Sequence, residues 1–320
     1  YLSGKGFLPN YAFPATSIAL SFWDRDEELV RDKIIALTEF APGNSVYYRG
    51  NRYEVVYARP LTSRKLSPFQ SLLICPYCKT AYLGESANRP RCAECNADLT
   101  NIHPYQKALF LPDMMAIKRT RITADEEERI RLGYVVEYYY QKGKKVKTYE
   151  AKSVEGEIFT ISYEHNGKIL VVNHGTRRAE IKGEPSGFVL CRACHRWLFG
   201  EEKIEKHIDP KSTDHCPCKA KPEDIEQGIV LYVSAQTDVA TLDIPLPENV
   251  TEDKAEDFYV TLNHALQRGL ALTLDLEETE IGGFLLPSPK EKKRFRLVFY
   301  ETTEGGTGAI KALMLSLIHI

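Results

Sequence analysis

The sequence has no apolar run of the about 18 residues that a membrane-spanning helix needs. It also has no Walker A loop, no DEAD or DEAH box and no H-x-E motif. These absences exclude a transmembrane helix, ATP hydrolysis by these residues alone, and zinc-dependent deamination, which needs that glutamate as general acid and base. No hydrolase triad motif is recognisable either. The sequence therefore carries no identifiable catalytic residue.

The two ends of the chain have unusual features. The sequence starts at Tyr1, and its first residues resemble the interior of a longer polypeptide more than a secretory signal. We therefore expect the chain to be a fragment. The last six residues, 315–320, read LSLIHI and resemble the translation of an adaptor used in sequencing libraries. We expect them to be a cloning or assembly scar and exclude them from fold reasoning.

Four of the eight cysteines form a C-x2-C-x13-C-x2-C pattern within SLLICPYCKTAYLGESANRPRCAECNADL, residues 71–99. Each CxxC can form a tight knuckle that presents two thiolates, and the loop between them lets the knuckles face each other tetrahedrally. Disulfides or redox-active CxxC motifs are the alternatives. The spacing favours a structural zinc site with the ligands Cys75, Cys78, Cys92 and Cys95.

The other four cysteines lie within CRACHRWLFGEEKIEKHIDPKSTDHCPCKA. The second pair, Cys216 and Cys218, is CxC, which chelates one metal less comfortably than CxxC. His207 and His215 are therefore open alternatives to Cys218 as the fourth ligand. The predicted ligands are Cys191, Cys194, Cys216 and Cys218. Two structural zinc ions held by eight reduced thiols indicate a reducing, cytoplasmic compartment.

The N-terminal part of the chain predicts a strand at Ser17–Phe22 and then a helix that Asp24 caps and that continues to Phe40, before the APGN turn. Two aromatic and β-branched runs around Gly50 and Asn51 predict a hairpin. Beyond the first cluster, residues 121–134 predict a short helix capped by Thr123.

The C-terminal half predicts more strands than helices. Successive β-runs between residues 134 and 175 indicate a meander, and Asn166-Gly167 is a favoured type I′ hairpin dipeptide. A strand follows the second cluster, and a helix starts near Thr251. The last segment, FRLVFYETTEGGTGAIKALM, predicts a strand, a glycine loop and a helix; the loop is either a tight turn or a contact to a nucleic-acid backbone.

These predictions define an α+β protein of several modules, rich in β-hairpins, with two zinc-knuckle clusters and a C-terminal α/β part. A length of 320 residues suggests two to three domains. The predicted modules are a strand, helix and hairpin at 1–69; a four-cysteine zinc ribbon at 70–100; a short helix and β-meander at 101–185; the second cluster at 186–222; the C-terminal α/β part at 223–314; and the scar at 315–320.

Charge is unevenly distributed along the chain. Residues 44–121 contain 12 Lys and Arg against 5 Asp and Glu, whereas residues 222–285 contain 2 against 14. Basic residues interleaved with aromatics are what a surface that stacks bases and neutralises phosphates needs, although charge runs are often only solvated faces. The predicted nucleic-acid contacts are Lys79, Arg89, Arg91, Arg119, Arg121, Lys144 and Lys145.

Several strings, taken in order, resemble a known family. They are GFLPNYAFP, ALTEFAPGN, CPYC and CAEC, RITADEEERIRLGY, GFVLCRACHRWLF, TDVATLDIPL, YVTLNHALQRGL and LVFYETTEGGTGAIKAL. Together they resemble the region after the motor of large DEAD/DEAH-type helicases, which ends in a helicase-associated zinc-binding domain of the MZB type, long catalogued as a domain of unknown function. The resemblance covers almost the whole chain.

The resemblance implies that the parent protein is an ATP-dependent DNA helicase or translocase of DNA repair or of phage defence, including the DISARM type. It also maps the family's four-cysteine zinc pattern onto Cys191, Cys194, Cys216 and Cys218, with the final CxC as a departure. We expect the chain to use zinc to rigidify a surface that guides DNA, single-stranded or at an unwinding junction, beside motor domains in cis or in trans. The alternative is a protein-interaction module of a defence or repair complex without nucleic-acid contact.

Overall fold

The computed structural model describes residues 17–59, 68–121, 133–143, 146–152, 158–177, 187–277, 279–288, 294–302, 308–312 and 314. Within these residues the chain is strand-rich with few helices, which confirms the predicted α+β class. The helices are α1 Lys33–Glu39, α2 Glu201–Ile208 and α3 Ala255–Thr273. The helix predicted at 121–134 lies almost wholly outside the described residues.

The strands form two sheets. They are β1 Ser17–Phe22, β2 Arg25–Asp32, β3 Ser45–Tyr48, β4 Asn51–Ala58, β5 Phe69–Ile74, β6 Ala81–Leu83, β7 Tyr105–Phe110, β8 Met114–Arg121, β9 Tyr134–Gln141, β10 Val146–Lys152, β11 Ile158–Thr176, β12 Phe188–Cys191, β13 Trp197–Leu198, β14 Ile225–Asp243, β15 Ile281–Pro287 and β16 Phe295–Glu301.

The smaller sheet has five strands in the order β2-β1-β8-β4-β3. Strand β1 and the β3–β4 hairpin confirm the sequence predictions, and Arg49 and Gly50 supply the two positive φ angles of the hairpin turn. The predicted helix from Asp24 is wrong over its first half. Residues 25–32 form β2 because their side chains alternate between half-buried and exposed and pair with β1. The helix begins only after Asp32, whose carboxylate accepts the Ile34 N–H at 2.8 Å.

The larger sheet is built on two strands of 19 residues, β11 and β14, which pair antiparallel. The sheet follows the path β10-β11-β14-β7-β5-β6, and β9, β12 and β16 branch from it. The predicted meander is wrong, since β9 and β10 both pair with β11. The predicted hairpin at Asn166-Gly167 is also wrong: these residues form a bulge within β11, where Asn166 takes φ 56°.

The main hydrophobic core lies where the two sheets meet and includes Leu20, Tyr53, Val171 and Trp197. Two small, separate clusters surround the cysteines, one around Cys75 and one around Cys191. The first cysteine cluster follows β5 and the second follows β12, so both are anchored to paired strands. No helix among the described ranges is long and apolar enough to cross a membrane.

Candidate metal centres

The first cysteine cluster is compact and mostly buried. The sulfur ligand atoms of Cys75, Cys78, Cys92 and Cys95 all lie within 4.8 Å of one another. The Sγ atoms of Cys75 and Cys95 are 3.6 Å apart, and those of Cys78 and Cys92 are 3.5 Å apart. The structure therefore brings together the four residues that the C-x2-C-x13-C-x2-C spacing predicts.

Three CxxC knuckles share one backbone arrangement. In each, the residue four positions after the first cysteine takes a positive φ and donates its N–H to the carbonyl of that cysteine. The pairs are Lys79 with Cys75 at 2.9 Å, Asn96 with Cys92 at 3.0 Å, and His195 with Cys191 at 2.8 Å. A left-handed non-glycine residue costs on the order of 1 kcal/mol or more. The tight turn is retained because it places the second thiol of each pair beside the first.

Tyr82 and nearby backbone N–H groups favour the thiolate form of Cys92 in the first cluster. The Tyr82 hydroxyl lies 3.2 Å from the Cys92 sulfur. Burial raises the pKa of Cys92, but hydrogen bonds from the Cys95 backbone and the Tyr82 hydroxyl outweigh it and lower this pKa to about 7. Burial raises the pKa of Cys95 to about 11. A metal ion would supply the positive charge that lets all four sulfurs ionise together.

The second cluster consists of Cys191, Cys194, His207 and Cys216, whose ligand atoms also lie within 4.8 Å of one another. His207 Nε2 is 3.4 Å from the Cys194 sulfur. Three of the predicted ligands are present, but His207 takes the fourth position that was assigned to Cys218. Cys218 is exposed and lies outside the cluster.

The backbone explains why Cys218 is left out. Lys219 donates to the Cys216 carbonyl at 2.9 Å, three positions along, so this turn is one residue shorter than the CxxC knuckles. Helix α2 instead supplies the ligand: His207 is 2% exposed and is the one buried residue of that helix. The Cys216 N–H also bonds the His207 carbonyl at 2.9 Å, which joins the two ligands through the backbone.

Two cysteines of the second cluster, Cys191 and Cys194, differ in how readily they ionise. The pKa of Cys191 is lowered to about 5, chiefly because its sulfur accepts a hydrogen bond from the Cys194 thiol and also from backbone N–H groups. The same pairing raises the pKa of Cys194. The cluster therefore holds one sulfur that is ready to bind a cation at neutral pH.

Both clusters suit zinc. Zinc takes four tetrahedral ligands at about 2.3 Å for sulfur and about 2.0–2.1 Å for nitrogen, so neighbouring ligand atoms are separated by about 3.5–3.8 Å. The measured separations of 3.4–3.6 Å agree with this geometry. Both donor sets, four cysteines and three cysteines with one histidine, are those of closed structural sites that leave no position for a water or substrate.

The predicted nucleic-acid contacts do not form one group. Lys79 faces Glu137 at 3.5 Å, and the Arg89 guanidinium lies 4.1 Å from the centre of the Tyr82 ring. Arg91 is exposed. Arg119 pairs with Glu54 at 2.6 Å, beside the second cluster. The side chain of Arg121 and both Lys144 and Lys145 lie outside the described residues.

An ion network ties the first cluster to the C-terminal strands. Glu94, which lies between ligands Cys92 and Cys95, accepts from Arg296 at 2.7 Å and from Lys142 at 3.3 Å. Arg296 on β16 also bonds both carboxylate oxygens of Asp243. Burial opposes ionisation of Glu94, but hydrogen bonding to Arg296 and its charge lower the pKa of this carboxyl. Sequence reasoning missed this network, which joins residues about 200 positions apart.

The glycine loop was predicted to be either a tight turn or a backbone-contact site. Residues 303–307 lie outside the described part. Glu301 precedes this loop, and its buried carboxylate accepts the N–H groups of two residues that follow the loop, Gly308 at 3.0 Å and Ile310 at 2.8 Å. These N–H groups open a short helical turn and already have an acceptor within the chain.

Comparisons with known proteins give one family match. Residues 262–319 match the model of the MrfA Zn-binding domain, MZB. No curated protein matches the sequence. Among solved structures, a crystal structure of the DUF1998 helicase MrfA bound to DNA is similar with a TM-score of 0.43 and 11% identity, over 95% of this chain and 28% of that chain. The present chain therefore spans about a quarter of the length of that helicase.

The match and the clusters occupy different parts of the sequence. All eight cysteines precede residue 262, so the match does not support placing the family's four-cysteine pattern at Cys191, Cys194, Cys216 and Cys218. The predicted resemblance to the helicase-associated MZB family is confirmed at residues 262–319. In that segment the chain is similar to the MrfA Zn-binding domain, and the part before it holds two Cys/His clusters suited to zinc.

Proposed function

We propose that this chain is a non-motor region of an ATP-dependent DNA helicase or translocase, in which structural zinc rigidifies a surface that guides nucleic acid. The observation that carries the proposal is the match of residues 262–319 to the MrfA Zn-binding domain. MrfA is described as a DUF1998 helicase, in a crystal structure with DNA. Because the sequence has no Walker A or DEAD/DEAH motif, motor domains in cis or in trans would supply ATP hydrolysis.

Zinc has a clear physical role in this proposal. The apolar clusters around the cysteines are small and include the cysteines themselves. Structural zinc contributes on the order of 10 kcal/mol or more to the folding of small peptides. Coordination would therefore hold the two knuckle regions rigid where apolar burial is too small to do so.

The first cluster presents the side chains that fit a nucleic-acid surface best. Arg91 is exposed, and Tyr77, between the ligands Cys75 and Cys78, is 63% exposed. An exposed tyrosine can stack on a base, and an arginine can neutralise a phosphate. Lys79 and Arg89 contribute less free charge, since Lys79 pairs with Glu137 and Arg89 stacks on Tyr82. Arg121, Lys144 and Lys145 remain proposed nucleic-acid contacts.

The test is fluorescence anisotropy with zinc-loaded protein, a single-stranded DNA of about 20 nucleotides and a matched duplex, repeated across salt concentrations. We expect single-stranded DNA to bind, and Arg89→Gln with Arg91→Gln to weaken binding and flatten its salt dependence. The double variant Lys211→Gln with Lys254→Gln removes the same charge from exposed positions elsewhere and serves as the control. Protein that retains both zinc ions yet binds no nucleic acid at low salt would contradict the proposal.

A protein-interaction module is the second candidate. Leu272 is 84% exposed and Val260 is 40% exposed on helix α3, in the acidic C-terminal part. Exposed apolar side chains of this kind occur where a partner docks. Absence of nucleic-acid binding, together with retained zinc, would favour this function. Phage defence and DNA repair are the two settings that we propose for either role.

A further inference from the structure

A cavity of about 70 Å³ lies between the five-stranded sheet and the second metal cluster. Strands β4 and β8 form one wall, and β13, α2 and the loop after α2 form the others. Its charged lining consists of Glu54, Arg119, Arg196, Lys203, Lys206 and Asp214. The lining comes from three separate segments, 54–56, 119 and 196–214, so only the fold brings them together.

Positive charge exceeds negative charge in this lining. Arg119 pairs with Glu54 at 2.6 Å, and Lys206 pairs with Glu202 at 2.6 Å on the helix surface. Arg196 and Lys203 have no ion-pair partner in the described part of the chain. Asp214 is the second carboxylate of the lining. Four cations and two carboxylates leave the cavity with a net positive charge.

Two buried rings of the same lining contain N–H groups without acceptors. Trp197 and His207 are each 2% exposed, and neither Trp197 Nε1 nor His207 Nδ1 has a hydrogen-bond partner among the described residues. A metal bound at Nε2 would leave the imidazole proton on Nδ1, because a metal-bound nitrogen carries none. Buried N–H groups normally have an acceptor. The lining thus has more donors and cations than acceptors.

We propose that this cavity is a binding site for one phosphate group, and that its occupant is a backbone phosphate of the nucleic acid. The assignment rests on the proposed function and deepens it, because it places one of the nucleic-acid contacts beside the second cluster rather than the first. The cavity is small, and its charged lining suits a tetrahedral oxyanion better than an apolar base. Arg196 supplies a planar guanidinium, which suits phosphate oxygens, and exposed Lys203 supplies a point charge at the solvent side.

The second metal cluster gains a role in this assignment. His207 is both a candidate metal ligand and part of the cavity lining, and Lys203 and Lys206 lie on the same helix. A metal that holds His207 would therefore fix the helix that carries these two lysines. Arg119, one of the nucleic-acid contacts predicted from the sequence, is part of the lining of this cavity.

The test compares Arg196→Gln with Lys203→Gln against the control Lys211→Gln with Lys254→Gln, each as the full, zinc-loaded chain. Anisotropy with single-stranded DNA of about 20 nucleotides is measured across salt concentrations. We expect the cavity variant to bind about tenfold or more weakly, and the slope of log K against log salt to become less negative by about 0.7, the value for one phosphate contact on a single strand. We expect the control to retain the wild-type slope.

The possible outcomes are distinguishable. Equal slopes for the cavity variant and the wild type, with a loss only in the Arg89 and Arg91 variant, would overturn the cavity and leave the proposed function intact. If wild-type protein binds inorganic phosphate in an Arg196-dependent manner but binds no DNA, both the nucleic-acid occupant and the proposed function fail. Competition of inorganic phosphate with DNA in the wild type, absent from the cavity variant, supports the proposal.

A single surface substitution tests the same cavity with less risk that the variant misfolds. Lys203→Glu changes only an exposed side chain of α2, so it leaves the packing of the core unchanged. It should weaken DNA binding more than Lys211→Glu does while both proteins keep two zinc ions. Equal effects of the two charge reversals would contradict a specific cavity.

Discussion

At the residue scale, the most informative position is His207. It lies on a helix of eight residues whose first turn is acidic and whose other residues are exposed or half-buried. Burial of one imidazole against three cysteines is easily explained if its nitrogen binds a cation, and hard to explain otherwise, since buried polar groups need partners. The ligand choice therefore depends on which side chain the helix turns inward.

Replacement of His207 by Ala should release one of the two zinc ions, whereas Cys218→Ser should leave both bound. The reason is that Cys218 is exposed and outside the group of ligand atoms. Native mass spectrometry would count the ions in each variant. Two zinc ions in His207→Ala and one in Cys218→Ser would reverse the assignment.

Glu137, on strand β9 of the large sheet, is a second informative residue, since it faces Lys79 of the first cluster. Its carboxylate accepts the Tyr139 hydroxyl, lies 3.3 Å from His174 Nε2 and faces Lys79. Hydrogen bonding to His174 is the largest cause that lowers the pKa of Glu137, to about 2, although burial opposes it. The ionised form is therefore favoured in the folded protein.

This pKa shift predicts a pH dependence of stability. A carboxyl with a lowered folded-state pKa stabilises the fold above its unfolded pKa of about 4.3, and this contribution is lost as the pH falls toward 2. Urea denaturation of the wild type and Glu137→Gln should therefore give a difference in unfolding free energy that is constant above about pH 5 and shrinks below it. Acid release of zinc affects both proteins, so the difference isolates Glu137. A pH-independent difference would argue against the ionised carboxylate.

At the element scale, the bulge in β11 is what lets a 19-residue strand bend without ending. Glycine is required at its end because a Cβ at position 167 would lie 2.8 Å from Val239 Cγ2 and 3.1 Å from Val239 Cβ. The Asn-Gly dipeptide that usually closes a hairpin thus serves here for close strand approach.

Gly167→Ala should lower the free energy of unfolding by about 1–3 kcal/mol, as overpacking does. Gly269→Ala is the matched control, since helix α3 has nothing within 4 Å of a Cβ at that position. The control should be stabilised by about 0.5–1 kcal/mol, because alanine loses less backbone entropy in a helix than glycine. Chemical denaturation measures both, and equal effects would refute the steric account of the bulge.

At the scale of the whole molecule, Arg296 connects parts of the chain that are distant in sequence. Its side chain is 9% exposed and lies between Glu94 of the first cluster and Asp243 of β14. A buried guanidinium is tolerated only when its donors and charge are matched. The first metal cluster is therefore anchored to the C-terminal strands through ionic groups as well as through strand pairing.

Arg296→Gln should destabilise the fold by about 3 kcal/mol, since it removes a partner of two carboxylates that are only 14% and 18% exposed, Glu94 and Asp243. It should also speed the release of zinc from the first cluster, and not from the second, when a colorimetric chelator is added. Arg192→Gln is the control, because the Arg192 side chain is 55% exposed and Glu226 keeps its pair with Lys107. Unchanged release kinetics in Arg296→Gln would separate the network from metal retention.

The sequence predicted those features that local patterns specify. Aromatic and β-branched runs predicted the β3–β4 hairpin, and apolar periodicity predicted helix α3. It failed at β2, where apolar residues near helical spacing were outweighed by pairing with β1, and at the bulge of β11. Within α3, apolar periodicity also did not specify that His264 is exposed and the neighbouring Asn263 is buried. A shift of one residue changes the buried face of a helix.

The sequence by itself determined the two cysteine clusters, because ligand spacing and knuckle turns are set by residues close along the chain. It also determined the strand-rich composition and the similarity of residues 262–319 to the MrfA Zn-binding domain. Only the tertiary structure decided that His207 replaces Cys218, that Arg296 reaches Glu94, and that Arg119 lies beside Arg196 and Lys203. These choices depend on contacts between segments far apart in sequence, whose positions are set by packing of the whole chain rather than by any local pattern.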